Sequence, residues 1–330
     1  MSSIQLNGLT KKFGNLTAVD NVTLSVGNGE LFGLLGPNGA GKTTIINMLT
    51  TLLLPTSGSA KIEGYDIEKE ADNVRRNIGV IFQEPSLDIH LTGKENLEFH
   101  AMMYGMSSNE RKKRIIEVLE VVGLLEKADI FVENYSGGMK RRLEIARGLI
   151  HHPKVLFLDE PTLGLDAQTR RKIWEYIKDL NKKYALSIVL TTHYMEEADY
   201  LCDRIAIMDH GKIVSLDTPA NLKNHLEGDI ISLEISGKSI EFIDALEKNP
   251  EIKTVKNNEN SLSITIIDGE KKIPELFLLA QNIGIEIISV NLRKPSLEDV
   301  FIQLTGSGIR EEAGNKYSHF HAGTRRRLMK

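Results

Sequence analysis

The sequence predicts an α/β protein with a parallel sheet at its centre and a smaller α+β unit behind it. Three observations lead there. "ELFGLLG" is an apolar strand that runs straight into a glycine-rich loop and then a helix. "VLFLDE" and "SIVLTTH" are apolar, partly β-branched strands separated by the helical stretch "AQTRRKIWEYIKDLNKKY". Strand, helix, strand in that order builds a parallel sheet covered by helices. From about Gly228 the pattern changes to strand, helix, strand, strand, helix, strand.

Taken in order, "IQLNGL" and "LTAVDNVTLSV" alternate like strands, with Gly14 and Asn15 as the turn between them. The helix "KTTIINMLTTLL" follows the glycine-rich loop, and "IGVIFQ" is a further short strand. Thr92 to about Ile150 is mostly helical. "RIAIMDHGKIVSLD" reads as a hairpin turned at His210 and Gly211. In the second unit "DIISLEISG" is a strand and "SIEFIDALEKN" a helix. "IKTVKNNENSLSITIID" is a hairpin turned by "NNEN", and "EKKIPELFLLAQNIG" a helix. "IEIISVNLR" is a strand and "PSLEDVFIQLTG" a last helix. That order is ferredoxin-like, a fold that hosts many functions. The expected division is 1–224, 225–306 and a mobile basic tail over 307–330, "RRRLMK" at its end.

Composition narrows the class. The chain has 330 residues, 41% hydrophobic and 26% charged, as ordinary globular proteins do. A net charge of −4 gives no general attraction to nucleic acid. No apolar run is long enough to cross a bilayer, and the N-terminus lacks the apolar core of a signal peptide. A single cysteine, Cys202, excludes an internal disulfide and a cysteine-rich zinc site, and it reads as a buried thiol.

Chemistry enters with "GPNGAGKT", Gly36 to Thr43, which fits the phosphate-loop pattern G-x-x-x-x-G-K-[ST] between a strand and a helix. Gly36, Pro37, Asn38, Gly39, Ala40 and Gly41 let backbone N–H groups close around phosphates at a positive helix end. Lys42 adds charge, the Thr43 hydroxyl suits Mg²⁺, and Thr44 continues the loop into the helix. The loop alone leaves kinases, GTPases and motor ATPases open. "VLFLDE" brings Asp159 and Glu160 to a strand's carboxyl end, where ligands of such sheets bind. Strand alternation predicts Asp159 facing the metal and Glu160 turned to the other side, towards water, as general base.

A second anion-binding turn, "YSGGM", stands about a hundred residues further on, before another helix. With "GPNGAGKTT", Gln83 in "IFQEP", "LFLDEPTLGLD" and His193 in "LTTHYMEEA", it makes the chain similar to the nucleotide-binding subunits of ATP-binding cassette (ABC) transporters. That resemblance covers about the first 220 residues. It implies a P-loop ABC ATPase domain with a parallel core, an antiparallel β subdomain and a helical subdomain. It also implies head-to-tail pairing, in which Ser136, Gly137 and Gly138 of one copy reach the γ-phosphate held by the other. A homodimer is the simplest such pair. By position the resemblance makes Phe13 the adenine-stacking ring and Glu160 the base. It gives Gln83 to Mg²⁺ and water, with Thr43 and Asp159 as further metal ligands, and His193 to the γ-phosphate. Asp166 falls in the loop at the dimer interface. The sequence departs from the commonest family pattern at Tyr135 and Met139, and at Leu163 and Gly164.

Those departures, with the C-terminal "PSLEDVFIQLTG", resemble the daunorubicin-resistance type of ABC-2 ATPase, out to about residue 305. The implication is an ATPase using ATP and Mg²⁺, held at the cytoplasmic face of the membrane by a separate multi-helix permease. "EPSLDIHLTGKENLEFHAMMYG" lies where the family meets that partner. The alternative is a soluble ABC ATPase acting on ribosomes or nucleic acid. A single cassette without sustained heptads speaks against it.

Overall fold

The structure, a computed structural model, describes residues 2–226, 228–236, 240–258 and 261–305. The expected basic tail and the tip of the "NNEN" turn lie outside the described residues. The first unit opens with strands β1 (Ser2–Phe13) and β2 (Leu16–Gly27), joined at Gly14 and Asn15 as predicted. Next come β3 (Leu31–Leu35), the phosphate loop and helix α1 (Lys42–Leu49). Strands β4 (Ser57–Ile62) and β5 (Tyr65–Asp66) precede α2 (Ala71–Asn77) and β6 (Ile78–Ile81). The helical section holds α3 (Gly93–Met103), α4 (Ser108–Val121) and α5 (Gly137–Leu149). The core resumes with β7 (Val155–Asp159), α6 (Ala167–Tyr184), β8 (Ser187–Thr192) and α7 (Met195–Leu201). It closes with β9 (Arg204–Asp209), β10 (Lys212–Asp217) and α8 (Pro219–Asn224).

The central sheet runs β10-β9-β3-β8-β7-β6, parallel except for the β9–β10 hairpin. That hairpin turns at His210 and Gly211, both with positive φ (44° and 79°), the tight geometry that suits twisted strands. The strands are apolar throughout because both faces are covered. Leu31 and Leu35, Leu156 and Leu158, and Ile188 and Leu190 point into a core shared with the helices. Phe32 and Leu34, Val155 and Phe157, and Val189 point into a second core, closed by the antiparallel sheet β2-β1-β4-β5.

The C-terminal unit contains β11 (Asp229–Ile235), α9 (Ile240–Glu247), β12 (Ile252–Asn258), β13 (Ser261–Ile266), α10 (Gly269–Ile283), β14 (Ile287–Arg293) and α11 (Leu297–Thr305). Its antiparallel order β12-β13-β11-β14 is the ferredoxin-like arrangement, with its own core around Ile231, Leu233, Phe242 and Leu276. Helix α11 does not join that core. Leu297, Val300 and Phe301 pack into the helical core of the first unit, against α7 and α8.

Two element bounds differ from the sequence reading. Helix α1 stops at Leu49 rather than Leu53, because Thr51 turns to φ 64° and the Thr50 hydroxyl bonds back to the Ile46 carbonyl. Helix α5 starts at Gly137, inside the "YSGGM" turn rather than after it, because Ser136 is already its N-cap.

Candidate nucleotide site

The site is built at the carboxyl ends of three adjacent strands. Leu35 of β3 pairs with Thr192 of β8, and Thr191 of β8 with Asp159 of β7. The loop after β3, the acidic pair after β7 and the histidine after β8 therefore meet by register alone.

Close packing explains the loop's glycines. A Cβ on Gly36 would lie 2.4 Å from the Met208 carbonyl oxygen. On Gly41, where φ is 100°, it would lie 2.4 Å from that of Ala18. On Gly39, with φ 82°, it would meet nothing within 4 Å, so the loop is open on that side. Asn38, Gly39 and Thr43 are exposed, Pro37, Gly41 and Thr44 half-buried, and Ala40 buried. Lys42 is buried and donates to the carbonyls of Gly36 (2.7 Å) and Pro37 (3.0 Å). Burial holds its ammonium below the ordinary lysine value, against the pull of Glu160 and Asp159.

Asp159, buried at the end of β7, accepts from the Thr43 hydroxyl at 3.2 Å and from the Thr191 hydroxyl. Glu160 lies just past the strand with φ 47°, so strand alternation does not govern it. Its carboxylate returns to the same site as Asp159, not to an opposite face. Oε1 is 3.2 Å from His193 Nδ1 and 3.8 Å from Lys42 Nζ. Burial pushes this carboxyl up, but His193 and Lys42 outweigh burial and hold it below the ordinary glutamate value. Its N–H donates to the Thr191 hydroxyl at 3.0 Å.

The remaining expected residues stand apart. Gln83 is exposed on the loop after β6 and makes no bond to Thr43 or Asp159. Phe13 is exposed at the end of β1, beneath the Lys11 ammonium at 5.2 Å. Ser136 and Gly137 are exposed at the start of α5, and Ser136 accepts from Met139 N–H at 3.3 Å. Asp166 caps α6 through Thr169 N–H (2.9 Å) and hydroxyl (2.6 Å), bonds that hold its carboxyl below the ordinary value.

Two of the departures from the common pattern, Tyr135 and Gly164, have local reasons. Tyr135 is buried and donates to the Lys127 carbonyl at 2.6 Å. Its hydroxyl fills the space a Cβ at Gly93 would need. Gly164 takes φ 74°, where a glycine is favoured. Three residues at this site went unread in the sequence. Thr191 bridges the acidic pair; the doubled threonine of "LTTH" was its only trace. Arg141 and Glu144 form a buried ion pair at 2.8 Å on α5.

The sequence matches the ABC transporter family over residues 19–163 and the C-terminal domain of DrrA1-3-like ATP-binding proteins over 218–305. The linearmycin resistance ATP-binding protein LnrL of Bacillus subtilis is 41% identical over 93% of this chain and 100% of its own length. The chain belongs to the ABC transporter ATP-binding proteins. Another relative is the daunorubicin/doxorubicin resistance ATP-binding protein DrrA of Streptomyces peucetius, 38% identical over 92% of each chain. The Nod factor export ATP-binding protein I of Rhizobium sp. is 38% identical over 92% of this chain and 97% of its own. Among solved structures, the ABC cassette MJ0796, a dimer bound to ADP and Pi, superimposes with a TM-score of 0.58 at 32% identity. That match covers 65% of this chain and 98% of the cassette.

As an ABC ATPase the chain binds ATP with Mg²⁺ and hydrolyses it. The site suits both. An open glycine cradle, a buried lysine and a helix N-terminus fit a triphosphate. No cluster of three or more histidine, cysteine or carboxylate ligands occurs among the described residues. One carboxylate and one hydroxyl suit Mg²⁺, which is usually held by few protein ligands and by phosphates. No helix among the described residues is long and apolar enough to cross a membrane.

Proposed function

We propose that this chain is the ATP-hydrolysing subunit of an exporter and drives a separate membrane permease of the ABC-2 type. One observation carries this reading: resistance and export ATP-binding proteins match nearly the whole chain, C-terminal unit included. Peripheral attachment at the cytoplasmic face follows from such a partner. So does pairing with a second cassette, most simply another copy.

The geometry supports the roles of the loop, Asp159, Glu160 and His193, and the family resemblance those of Phe13, Gln83, the Ser136 turn and Asp166. The loop Gly36–Thr44 cradles the phosphates, with Lys42 as their counter-charge, and Phe13 stacks on the base. Thr43, Asp159 and Gln83 hold Mg²⁺, which supplies charge neutralisation for the phosphates. Glu160, ionised at neutral pH, takes the proton of the attacking water, and His193 orients Glu160 and the outermost phosphate. Ser136, Gly137 and Gly138 at the N-terminus of α5 complete the partner's site, with Asp166 at the interface. Catalysis is positioning plus charge stabilisation. Phe99, Met102 and Met103 are 63%, 54% and 70% exposed on α3, an apolar surface suited to the permease.

The test is a tagged purification from gently solubilised membranes of the native host, with bound proteins identified by mass spectrometry. A stoichiometric multi-helix membrane protein is expected. Ribosomal or DNA-bound proteins without a membrane partner would replace this reading with a soluble ABC ATPase.

A further inference from the structure

We propose that Arg141 is a positioning residue for hydrolysis, fixing the peptide groups around Glu160 and tying them to the segment that carries Gln83. Arg141 sits in the second turn of α5 and is 7% exposed. A guanidinium has five N–H donors and no acceptor. All five are committed. Nε donates to the Pro161 carbonyl at 2.7 Å. Nη2 donates to the carbonyls of Asp159 and Glu160, each at 3.2 Å. Nη1 donates to the Phe82 carbonyl and to Glu144 Oε2, each at 2.8 Å.

Three of those acceptors are successive carbonyls of one turn. It is the turn in which Glu160 takes φ 47°, a conformation disfavoured for a residue with a Cβ. A fourth belongs to the residue before Gln83. Glu144 extends the hold, because its Oε1 accepts from Ser86 N–H at 3.1 Å. Arg147, further along α5, donates to the Ser86 carbonyl and hydroxyl. Residues 82–86 are thus tied to the helix that Ser136 caps, and the same guanidinium grips the acidic turn.

Stability alone does not call for this arrangement. A buried ion pair is often no better for stability than apolar groups of the same size. What it supplies is direction: a planar fork that sets several carbonyls at once. A shift of the Gln83 segment or of α5 is passed to the backbone of Glu160 through one rigid group. The inference rests on Glu160 as the base.

The experiment compares full-length Arg141→Lys, Arg141→Gln and the double variant Arg141→Gln/Glu144→Gln with Glu160→Gln and the native chain. The single glutamine variant strands the buried Glu144 charge and is prone to misfold. The double variant removes that problem. It is expected to melt within a few degrees of native, with KM for ATP and the affinity for a fluorescent ATP analogue within about threefold. Its kcat is expected to fall about 10- to 100-fold, the scale of a small misplacement of a reacting group. Arg141→Lys, which keeps the charge but not the fork, should fall between. A folded double variant with native kcat, or one losing kcat and ATP affinity together, would overturn the role of Arg141. Native turnover in Glu160→Gln would instead remove the base, and this inference with it.

Discussion

Replacing Glu160 by glutamine keeps the shape of the side chain and removes its charge and its basicity. The native Oε1 lies 3.2 Å from His193 Nδ1, and an amide can still bond there. What is lost is the proton acceptor. General-base catalysis contributes roughly 10²- to 10⁴-fold, so kcat should fall by that factor, about 2.7–5.5 kcal/mol in barrier height. Binding should move the other way. Glu160 Oε1 is 3.8 Å from Lys42 Nζ, beside the loop that takes the phosphates. Removing a negative charge there lowers its repulsion of ATP, and the triphosphate itself supplies the charge that the buried Lys42 loses. Affinity for an ATP analogue, followed by fluorescence, should therefore stay level or tighten. Phosphate release at saturating MgATP should nearly stop. Turnover within threefold of native, with binding intact, would refute Glu160 as the base.

Three further outcomes follow from the same geometry. Lys42→Ala should weaken ATP binding about 10- to 150-fold, the value of a charge-assisted bond; unchanged affinity in the same fluorescence titration would contradict the reading of the loop. Gly138→Ala would set a Cβ 2.7 Å from Thr169 Cγ2, and Thr169 is pinned by its bonds to Asp166. A cost of about 1–3 kcal/mol in a denaturation curve is expected, and Thr169→Ser, which removes that methyl, should restore most of it. Asp299 is bound by Arg293 (2.5 and 2.8 Å) and by Ser296, and its carboxyl is lowered to about 2 although burial pushes it up. A depressed carboxyl stabilises the fold above its ordinary value of about 3.9 and loses that contribution as pH falls towards 2. Asp299→Asn should thus cost about 1–2 kcal/mol at pH 7, after allowance for partial solvent screening, and the difference should vanish near pH 2; a constant difference would refute the ion pair as its source.

The parts legible in the sequence were those whose pattern is local. The strands that carry the site are continuous apolar runs because both faces are covered, and Val155 to Leu158 are wholly buried. The glycine loop announces itself because a side chain at Gly36 or Gly41 has nowhere to go. Elements stabilised from a distance left little trace. The β4–β5 hairpin buries only Ala60 and Ile62 on its two strands and is held by pairing of β4 with β1, some fifty residues away. Helices α7 and α8, of 7 and 6 residues, are too short for a period to show. The facing of Glu160 was misread for a physical reason. Alternation applies within a strand, and the positive φ at Glu160 ends it. Arg141 escaped because four of its five acceptors are backbone carbonyls, which any sequence supplies.

The two units are joined through α11. The accessory sheet does not stop at its own core. Arg293, at the end of β14, grips Asp299 of α11, while Lys294 reaches back to Asp229 at the start of β11 at 2.7 Å. Helix α11 is thereby fastened to the accessory sheet at one end, while its apolar face is sunk against α7 and α8. Helix α7 begins two residues after His193. Its Glu197 is wholly buried and accepts from the Thr162 hydroxyl and the Trp174 indole, both at 2.8 Å. Burial raises its carboxyl, so the neutral acid persists above the usual glutamate range. Thr162 lies two residues past Glu160, and Trp174 lies on the helix capped by Asp166. A displacement of the accessory unit through α11 would meet α7 and α8, and Glu197 of α7 bonds to the segments that follow Glu160 and Asp166. Close-packed interiors transmit such shifts rather than absorb them. The C-terminal unit is thus joined, through α11, α7 and Glu197, to the segments that carry Glu160 and Asp166.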